Sequence, residues 1–288
     1  KNALSHNDLS PSDIAHVVVV GGSTKIPAIR NMISKVFEKC NFSIHASEAV
    51  SYGAAIFAAH LATDPSDTKF VKDITSLQIG TPLVGDKFDV LVEKGTKFPT
   101  TITKDYQEIS SYSNQATFKI LEGTRFMASQ NSMIGCVTLQ HKARPMGQTK
   151  TKLQLSIDIN GIIHISVSDQ DGARAEGSLP TLKQRSQKEV ERLDAVGKKN
   201  RSQDEAKVTA NLKKYNEWKD GAQLIETLLE DAQRKKELGT TGNDKKTKLD
   251  DIILKTSAWL RDSYCTASKE QLLNKKREVE AQLSAVFA

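Results

Sequence analysis

Proline and glycine divide the sequence into two regions that must fold differently. All seven prolines lie at or before position 180, and only four of the sixteen glycines lie after position 182. Because proline interrupts helices and both residues favour turns, the first two-thirds of the chain is predicted to be rich in turns. The last third is predicted to be helical.

The opening segment is predicted to be α/β, in the order helix, strand, helix, helix. Val17 to Val20 form an unbroken β-branched run that ends at Gly21-Gly22, which predicts a strand buried on both faces. Pro27 suits the first turn of the helix that follows. Ser47 is a candidate N-cap for the next helix.

From about residue 73 to residue 181 the apolar residues alternate with polar ones. Two alternating runs flank Asn160-Gly161, which is a strong hairpin signal because both turn residues need positive φ. About eight short strands of this kind predict an antiparallel β-sandwich. The other candidate strands are residues 73–79, 87–92, 101–111, 117–121 and 135–140.

From about residue 184 the helical period returns. Four helices are predicted, the first of them long and charged, and together they indicate a small C-terminal α-helical bundle. One helix is placed between Gly221 and Gly239. The apolar stripes are Leu224, Leu228 and Leu229, then Leu249, Ile252, Ile253, Thr256 and Leu260, then Leu272, Val279, Leu283 and Val286.

The distribution of charge argues against a nucleic-acid-binding protein. The net charge is +6, and residues 183–288 hold 23 basic and 18 acidic residues that are interspersed in sign. Such mixing is typical of a solvated helical surface, whereas nucleic-acid sites need clustered basic residues. No apolar run approaches the roughly 20 residues of a membrane helix, so no membrane partner is expected.

The cysteines and histidines do not indicate a metal site. Cys40, Cys136 and Cys265 lie about a hundred residues apart, without a Cys-x-x-Cys pair, and the six histidines are scattered. This usage fits a reducing compartment. Gly-x-Ser-x-Gly and His-Glu-x-x-His are both absent, so no catalytic residue is assigned.

Two segments carry candidate binding residues, each with a plainer alternative. Gly21, Gly22, Ser23 and Lys25 form a glycine-containing turn between strand and helix, which either approaches an anion or only reverses the chain. Tyr106, Ile109 and Phe118 lie on strands otherwise rich in polar residues. These three side chains either line a groove for an extended peptide or belong to an ordinary sandwich core.

Six segments together carry a resemblance to a known family. They read VVVVGGSTKIP at 17–27, EAVSYGAA at 48–55, KGTKFPT at 94–100, LEGTR at 121–125, DINGIIHIS at 158–166 and AWL at 258–260. In this order and spacing they resemble the heat shock protein 70 (Hsp70) chaperones, from the end of the nucleotide-binding domain through the peptide-binding sandwich to the lid.

The resemblance implies a multidomain C-terminal fragment. Residues 1–68 would be the end-piece of an actin-like ATPase domain, and 69–72 the interdomain linker. Residues 73–181 would be the peptide-binding β-sandwich, and 182–288 the helical lid. The chain alone is expected to bind neither ATP nor ADP and to have no enzymatic activity. The longer protein would be an ATPase that uses ATP and ADP.

The resemblance also implies site residues. Gly21, Gly22, Ser23 and Lys25 would contribute to nucleotide binding. The peptide-binding positions would be Thr81, Val84, Tyr106, Ile109, Ala116, Phe118 and Leu153, with Val84 and Ile109 forming an arch over the peptide. The implied partners are unfolded or extended clients, J-domain co-chaperones and nucleotide exchange factors, in the cytoplasm.

The sequence departs from the family pattern at informative positions. Lys25 stands where the family usually has arginine, and a lysine cannot stack flat on a base. Lys69-Phe70-Val71-Lys72 replaces an acidic residue followed by leucines in the linker. Thr81 replaces an apolar groove residue, and Ile109 replaces a smaller arch residue. The altered linker leaves an alternative open, namely a nucleotide-insensitive holdase or co-chaperone.

Overall fold

The chain forms two compact units, Lys1–Val71 and Lys72–Ala288. The computed structural model describes residue 4 and residues 8–63, 73–179, 185–238, 243–264 and 266–287, apart from the side chains of Leu61 and Asn243. The predicted linker at 69–72 and Cys265 lie outside the described residues. Each unit is considered by itself.

The first unit contains a short parallel sheet and two helices. Strand β1 (Val17–Val18) pairs with β2 (Cys40–Asn41), and helices α1 (Pro27–Ser34) and α2 (Ala49–Thr63) follow the two strands. Pro27 occupies the first position of α1, as predicted, because its missing N–H costs nothing there. Helix α2 begins later than the Ser47 cap predicted, because the amides of Glu48 and Ala49 first close a turn onto the carbonyl of His45.

The prediction that Val17 to Val20 form a strand buried on both faces is wrong for this structure. Val19 is buried, but Val18 and Val20 remain 49% and 45% exposed. The strand itself covers only Val17–Val18, and among the described residues it pairs with β2 alone. The side chains therefore alternate between a covered and an open face.

The second unit contains two four-stranded antiparallel sheets. Their orders are β5-β4-β8-β9 and β12-β11-β10-β7, and a two-stranded sheet joins β3 to β6. The strands are β3 (Asp73–Ile74), β4 (Gln78–Leu83), β5 (Lys87–Val92), β6 (Lys97–Phe98), β7 (Thr100–Gln107), β8 (Gln115–Gly123), β9 (Ser132–Gln140), β10 (Lys150–Ile157), β11 (Ile163–Asp169) and β12 (Arg174–Leu179).

Both four-stranded sheets contribute side chains to one hydrophobic core. Ile79 and Ile120 come from the first sheet, whereas Leu155, Ile163 and Val167 come from the second, and each of the five is almost fully buried. These residues occupy alternate positions of their strands. The opposite face of the second sheet is polar, whereas the opposite face of the first sheet carries a smaller apolar cluster of its own. Burial of such side chains stabilises a fold by about 1.5–3 kcal/mol each.

The predicted hairpin at Asn160-Gly161 is confirmed, although its turn is longer than two residues. Strands β10 and β11 pair in antiparallel register, with Ile157 opposite Ile163. The carboxylate of Asp158 accepts hydrogen bonds from the amides of Asn160 and Ile162, at 2.8 and 2.9 Å. Gly161 has φ of 75°, which suits glycine. The Asp158 side chain therefore sets a five-residue loop.

Several predicted strand limits differ from the structure. The strand predicted over 73–79 is interrupted, because the Thr75 hydroxyl donates to the Glu93 carbonyl and leaves the ladder there. The strand predicted over 101–111 ends at Gln107, and the amide of Ser110 then bonds to the Glu108 side chain. Strand β12 escaped prediction because its inward positions are small, among them Ala175 and Gly177.

Three helices complete the described part of the second unit. They are α3 (Gln187–Glu237), α4 (Asn243–Asp262) and α5 (Lys269–Phe287), and each packs against the other two. The prediction of four helices is wrong, because α3 runs through Gly221 for 51 residues without a break. A Cβ atom at Gly221 would lie 2.7 Å from Cδ1 of Leu272, so this glycine permits close packing of α3 on α5.

Within the described residues, no helix has both the length and the apolar composition needed to cross a bilayer.

Candidate functional site

A cavity of about 630 Å³ lies in the second unit, between the two four-stranded sheets with their loops on one side and the helices on the other. Sheet and loop residues form one wall, and side chains of α3, α4 and the turn after α4 form the other. The lining residues are 81–84, 106–111, 113, 115–118, Thr151, Trp218, Leu260, Arg261 and Tyr264. The cavity is large enough for an amino-acid side chain with its flanking backbone.

Two aromatic rings on β7 and β8 form the apolar part of this wall. The rings of Tyr106 and Phe118 are 5.6 Å apart between centroids and inclined at 61°, an edge-to-face arrangement. Both side chains are half-buried, and both pack against the core shared by the sheets. They therefore present an apolar surface that is partly open to the cavity.

The hydroxyl of Tyr106 is fixed by a carboxylate. It donates to Oδ2 of Asp89 at 2.7 Å, and Nζ of Lys104 lies 2.6 Å from the other oxygen of Asp89. Burial, followed by the hydrogen bond to Asp89, raises the pKa of Tyr106 far above its usual value. The phenol thus stays neutral, and its ring is held in one orientation.

Six of the seven predicted peptide-binding residues line this cavity. They are Thr81, Val84, Tyr106, Ile109, Ala116 and Phe118. Leu153 does not line the cavity, contrary to the prediction. The side chain of Leu153 is only 1% exposed and belongs to the core between the sheets, because β10 turns its odd-numbered residues inward.

The two predicted arch residues contact the helices. Val84 and Ile109 both pack against a cluster on α3, α4 and α5 that includes Tyr215 and Trp218. The rings of Trp218 and Tyr264 are 5.2 Å apart in an edge-to-face arrangement. The helices therefore cover the cavity through aromatic side chains that meet the sheet loops directly.

Charged contacts fasten the first half of α3 to the sheets. Arg125 donates two hydrogen bonds to Asp204, at 2.8 and 2.7 Å, and Arg185 lies 2.6 Å from the buried Glu122. The Arg125 guanidinium, through its hydrogen bonds, holds the pKa of the Asp204 carboxyl below its usual value of 3.8. The Thr124 hydroxyl also donates to the Leu193 carbonyl of the helix.

The predicted nucleotide-binding residues lie together in the first unit. Gly21 has φ of 94°, and Gly22–Lys25 form a single 3₁₀ turn that leads into α1. The Gly21 carbonyl accepts a 2.7 Å hydrogen bond from the Thr24 hydroxyl. No described atom lies within 4 Å of a Cβ built on Gly21 or Gly22, so the loop backbone is open to close approach.

This geometry fits either interpretation of the loop. The open backbone at two glycines would suit a phosphate or a nucleoside, and Lys25 is exposed beside it. The hydrogen bonds of Thr24 would stabilise a simple chain reversal equally well. Among the residues that the structure describes, no group of His, Cys, Asp or Glu side chains has an arrangement that would hold a metal ion.

Comparison with known proteins gives a clear family. The family model described as "Hsp70 protein" matches residues 1–288. The chain is 29% identical over 289 residues to a heat shock 70 kDa protein of Penicillium citrinum, covering 98% of this chain and 56% of that protein. It is 31% identical over 210 residues to the chaperone protein DnaK of Mycoplasmopsis pulmonis, covering 72% of this chain and 35% of that protein.

The chain belongs to the Hsp70 family. It spans about half the length or less of the relatives it matches, since it also covers 44% of the heat shock 70 kDa protein of Trichophyton rubrum, at 28% identity. Membership in the Hsp70 family agrees with the mixed α/β fold, in which helices accompany antiparallel sheets.

Sequence reasoning missed the helical wall of the cavity. Trp218, Leu260, Arg261 and Tyr264 line it, but none of them was predicted as a site residue. The Ala258-Trp259-Leu260 segment carried part of the Hsp70 resemblance without indicating which face meets the sheets. Only tertiary packing brings residue 218 next to residues 260–264.

Proposed function

We propose that the chain is the peptide-binding, C-terminal part of an Hsp70-type chaperone. Residues 73–181 would be the peptide-binding β-sandwich and residues 182–288 its helical lid. The observation that carries this proposal is the covered cavity of about 630 Å³, which joins an aromatic sheet wall to a helical one.

The cavity suits one apolar side chain of an extended polypeptide. Tyr106 and Phe118 supply its apolar wall, and Val84 and Ile109 flank it under the helices. Polar lining residues such as Thr81 and Gln115 can hydrogen-bond to the peptide backbone, which every client offers. Such a site would bind many unfolded sequences and few folded ones.

The first unit supports its assignment as the end-piece of a larger ATPase domain. Large apolar side chains are unusually exposed there, which is costly for a unit that stands alone. The exposed fractions are 49% at Val18, 62% at Met32, 75% at Val50 and 56% at Ile56. Other parts of an actin-like domain would cover these side chains.

Nucleotide control is part of the same proposal. In the longer protein, Gly21, Gly22, Ser23 and Lys25 would lie at the nucleotide, and ATP binding and hydrolysis would open and close the lid. J-domain co-chaperones and nucleotide exchange factors would act on that cycle in the cytoplasm. The holdase alternative depends on residues 69–72, which lie outside the described residues.

The test is a binding measurement on a Phe118→Ser variant. A fluorescent seven-residue leucine-rich peptide should bind the chain, as seen by anisotropy. Phe118→Ser should weaken binding by roughly tenfold or more, since a pocketed Leu-sized group contributes about 1.5–3 kcal/mol and ~1.4 kcal/mol is one decade. Met133→Ser is the matched control, because Met133 is exposed on β9 and lies outside the cavity lining.

Thermal unfolding of the same proteins separates binding from folding. The proposed function requires weaker binding by a Phe118→Ser protein that still melts near the parent temperature. Unchanged affinity in a folded variant would remove the groove assignment. If Phe118→Ser unfolds the protein, Phe118→Leu provides the second measurement, since it keeps an apolar side chain but loses the ring.

A further inference from the structure

A buried carboxyl group lies where α3 crosses the loops that close the cavity. Glu226 is only 1% exposed, and neither of its side-chain oxygens has a hydrogen-bond partner among the described residues. A carboxylate buried in this way is very costly, because ionised groups lose several kcal/mol or more on leaving water without a partner. Burial therefore favours the neutral acid.

The surroundings of Glu226 are polar but do not supply a positive charge. The Ser111 hydroxyl and the Met146 amide face the carboxyl group without an ordinary hydrogen bond to its oxygens. Ser111 Oγ and the hydroxyl of Tyr112 are also buried and unpartnered among the described residues. Glu226 therefore sits in a small polar cluster formed by the lid helix and two sheet loops.

Of the neighbouring charged groups, Glu230 favours the neutral acid, and the two nearby arginines are bound to other acceptors. On its own helix Glu226 faces Glu230, another acid, and on the β7–β8 loop it faces Tyr112. On α4 the guanidinium of Arg261 donates to the Ser111 carbonyl at 3.0 Å. On the β9–β10 loop Arg144 is bound to Asp171 at 2.5 Å. Burial, and secondarily Glu230, raises the pKa of Glu226 above its usual 4.5.

We propose that Glu226 binds a proton when the lid helix closes on the sheet loops, so that peptide release is controlled by pH. The proposal rests on the proposed function, because it takes α3 to be part of a lid. When α3 separates from the loops, Glu226 meets water and ionises. Closing the lid then takes up one proton, and opening releases it.

The sign of the effect follows from linkage. The closed state binds the extra proton, so closure is favoured at low pH and weakens as pH rises from about 4.5 through the raised pKa of Glu226. Within this window the closing equilibrium changes by about tenfold per pH unit, and outside it the equilibrium is flat. Peptide release through the open state should accelerate in the same proportion.

The first experiment measures peptide dissociation from pH 5 to pH 8 on the 288-residue chain. The parent should release a leucine-rich peptide faster as pH rises. Glu226→Gln keeps the shape of the neutral acid. This variant should therefore release the peptide slowly, and its release rate should not rise with pH as that of the parent does. Glu217→Gln is the matched control, because Glu217 is exposed on the same helix, and it should behave as the parent does.

Comparison of the variants isolates Glu226, since all six histidines are common to them. Glu226→Met, which cannot ionise, provides a second variant if the glutamine protein melts early. Release with the same pH dependence in either folded variant as in the parent would overturn the proposal. So would release from the parent that does not respond to pH.

A second experiment needs no peptide and keeps the two proposals distinguishable. The Tyr112 amide donates to the Arg144 carbonyl at 2.8 Å, and the Tyr112 ring packs against the helical cluster that includes Leu229. Hydrogen exchange at this amide therefore reports on the loops that α3 covers. After correction for intrinsic rates, its protection should fall with rising pH in the parent but not in Glu226→Gln. Equal pH dependence in both proteins would overturn the inference. Absence of peptide binding at every pH would instead count against the proposed function alone.

Discussion

At the scale of single residues, Ile109 has the clearest expected effect on peptide exchange. Its half-buried side chain lines the cavity and packs on the helical aromatic cluster. Ile109→Ala should speed both association and release, by several-fold each, because a smaller side chain lowers the steric barrier that the peptide crosses as it enters and leaves the cavity. The melting temperature should change little, since the residue lies on a loop outside the core between the sheets.

Stopped-flow mixing with the labelled peptide measures both rates for Ile109. Ile74→Ala is the control, because it removes the same atoms from a side chain that is 53% exposed and is not part of the cavity lining. A change in affinity with an unaltered association rate would show that Ile109 contributes binding surface and does not restrict entry.

The sequence predicted the residues of the sheet wall of the cavity better than those of the helical wall. Tyr106 and Phe118 were predicted as site residues because they are apolar side chains on otherwise polar strands. Thr81 and Ala116 were predicted from the Hsp70 resemblance. Trp218 gave no such signal, because a helical aromatic looks the same whether it faces a core or a cavity. The Hsp70 resemblance alone assigned Leu153 to the groove, and in the structure its side chain lies in the core between the sheets.

At the scale of elements, the contact between Arg125 and Asp204 should contribute most to holding α3 on the sheets. Asp204 is buried, and its carboxylate receives both hydrogen bonds from one guanidinium. Arg125→Ala should lower the free energy of unfolding by about 3 kcal/mol, the low end for breaking a buried pair, since solvent still reaches Arg125. Denaturant titration followed by circular dichroism measures this loss.

The exposed pair of Lys255 and Asp251 provides the control for that measurement. Lys255→Ala removes an i,i+4 partner on the surface of α4, where about 0.5 kcal/mol or less is expected. Equal losses for the two substitutions would contradict the special role of Arg125.

Acid should also distinguish the Arg125 variant. Because the folded pKa of Asp204 lies below 3.8, its contribution to stability is present above that value and is lost as pH falls through the lowered pKa. Arg125→Ala removes the cause of this shift. The parent should therefore lose stability more steeply than the variant below about pH 4, opposite in direction to the effect of Glu226.

Helix existence was easier to predict than helix continuity. The apolar stripes around Leu249 and Leu272 correctly indicated α4 and α5, because each stripe is buried against the other helices. Gly221 suggested a boundary, but its role is to let Leu272 approach the α3 backbone. A glycine that permits packing and a glycine that ends a helix look alike until the partner is known.

At the scale of the whole molecule, residues 72–288 should fold and bind peptide without residues 1–71. The structure divides the chain at this point, and the cavity lies wholly in the second unit. A protein made from residues 72–288 should keep the peptide affinity within about twofold, and keep the melting transition of the second unit. Anisotropy and calorimetry test this, with the 288-residue chain as the reference. Lost binding by a folded 72–288 protein would contradict it.

Alternation, helical period and the Hsp70 motifs predicted the succession of α/β, antiparallel and helical regions along the chain. They did not predict that the sheets and helices would form one compact unit. That outcome depends on long-range contacts, such as Asn211 with the Gly85 carbonyl and Gln148 with Glu230. Polar partners so far apart in sequence leave no periodic pattern.

The length of α3 has a mechanical consequence. The 22 residues from Asp204 to Glu226 extend over ~33 Å at 1.5 Å per residue in a straight helix. If the helix turns rigidly by ~5° about the Arg125 contact, the geometry moves Glu226 by ~3 Å. That displacement equals the length of a hydrogen bond. A rotation small enough to leave the Arg125–Asp204 contact intact is therefore large enough to separate Glu226 from the sheet loops. The uninterrupted helix therefore converts a small rotation about the Arg125–Asp204 contact into a large displacement of Glu226.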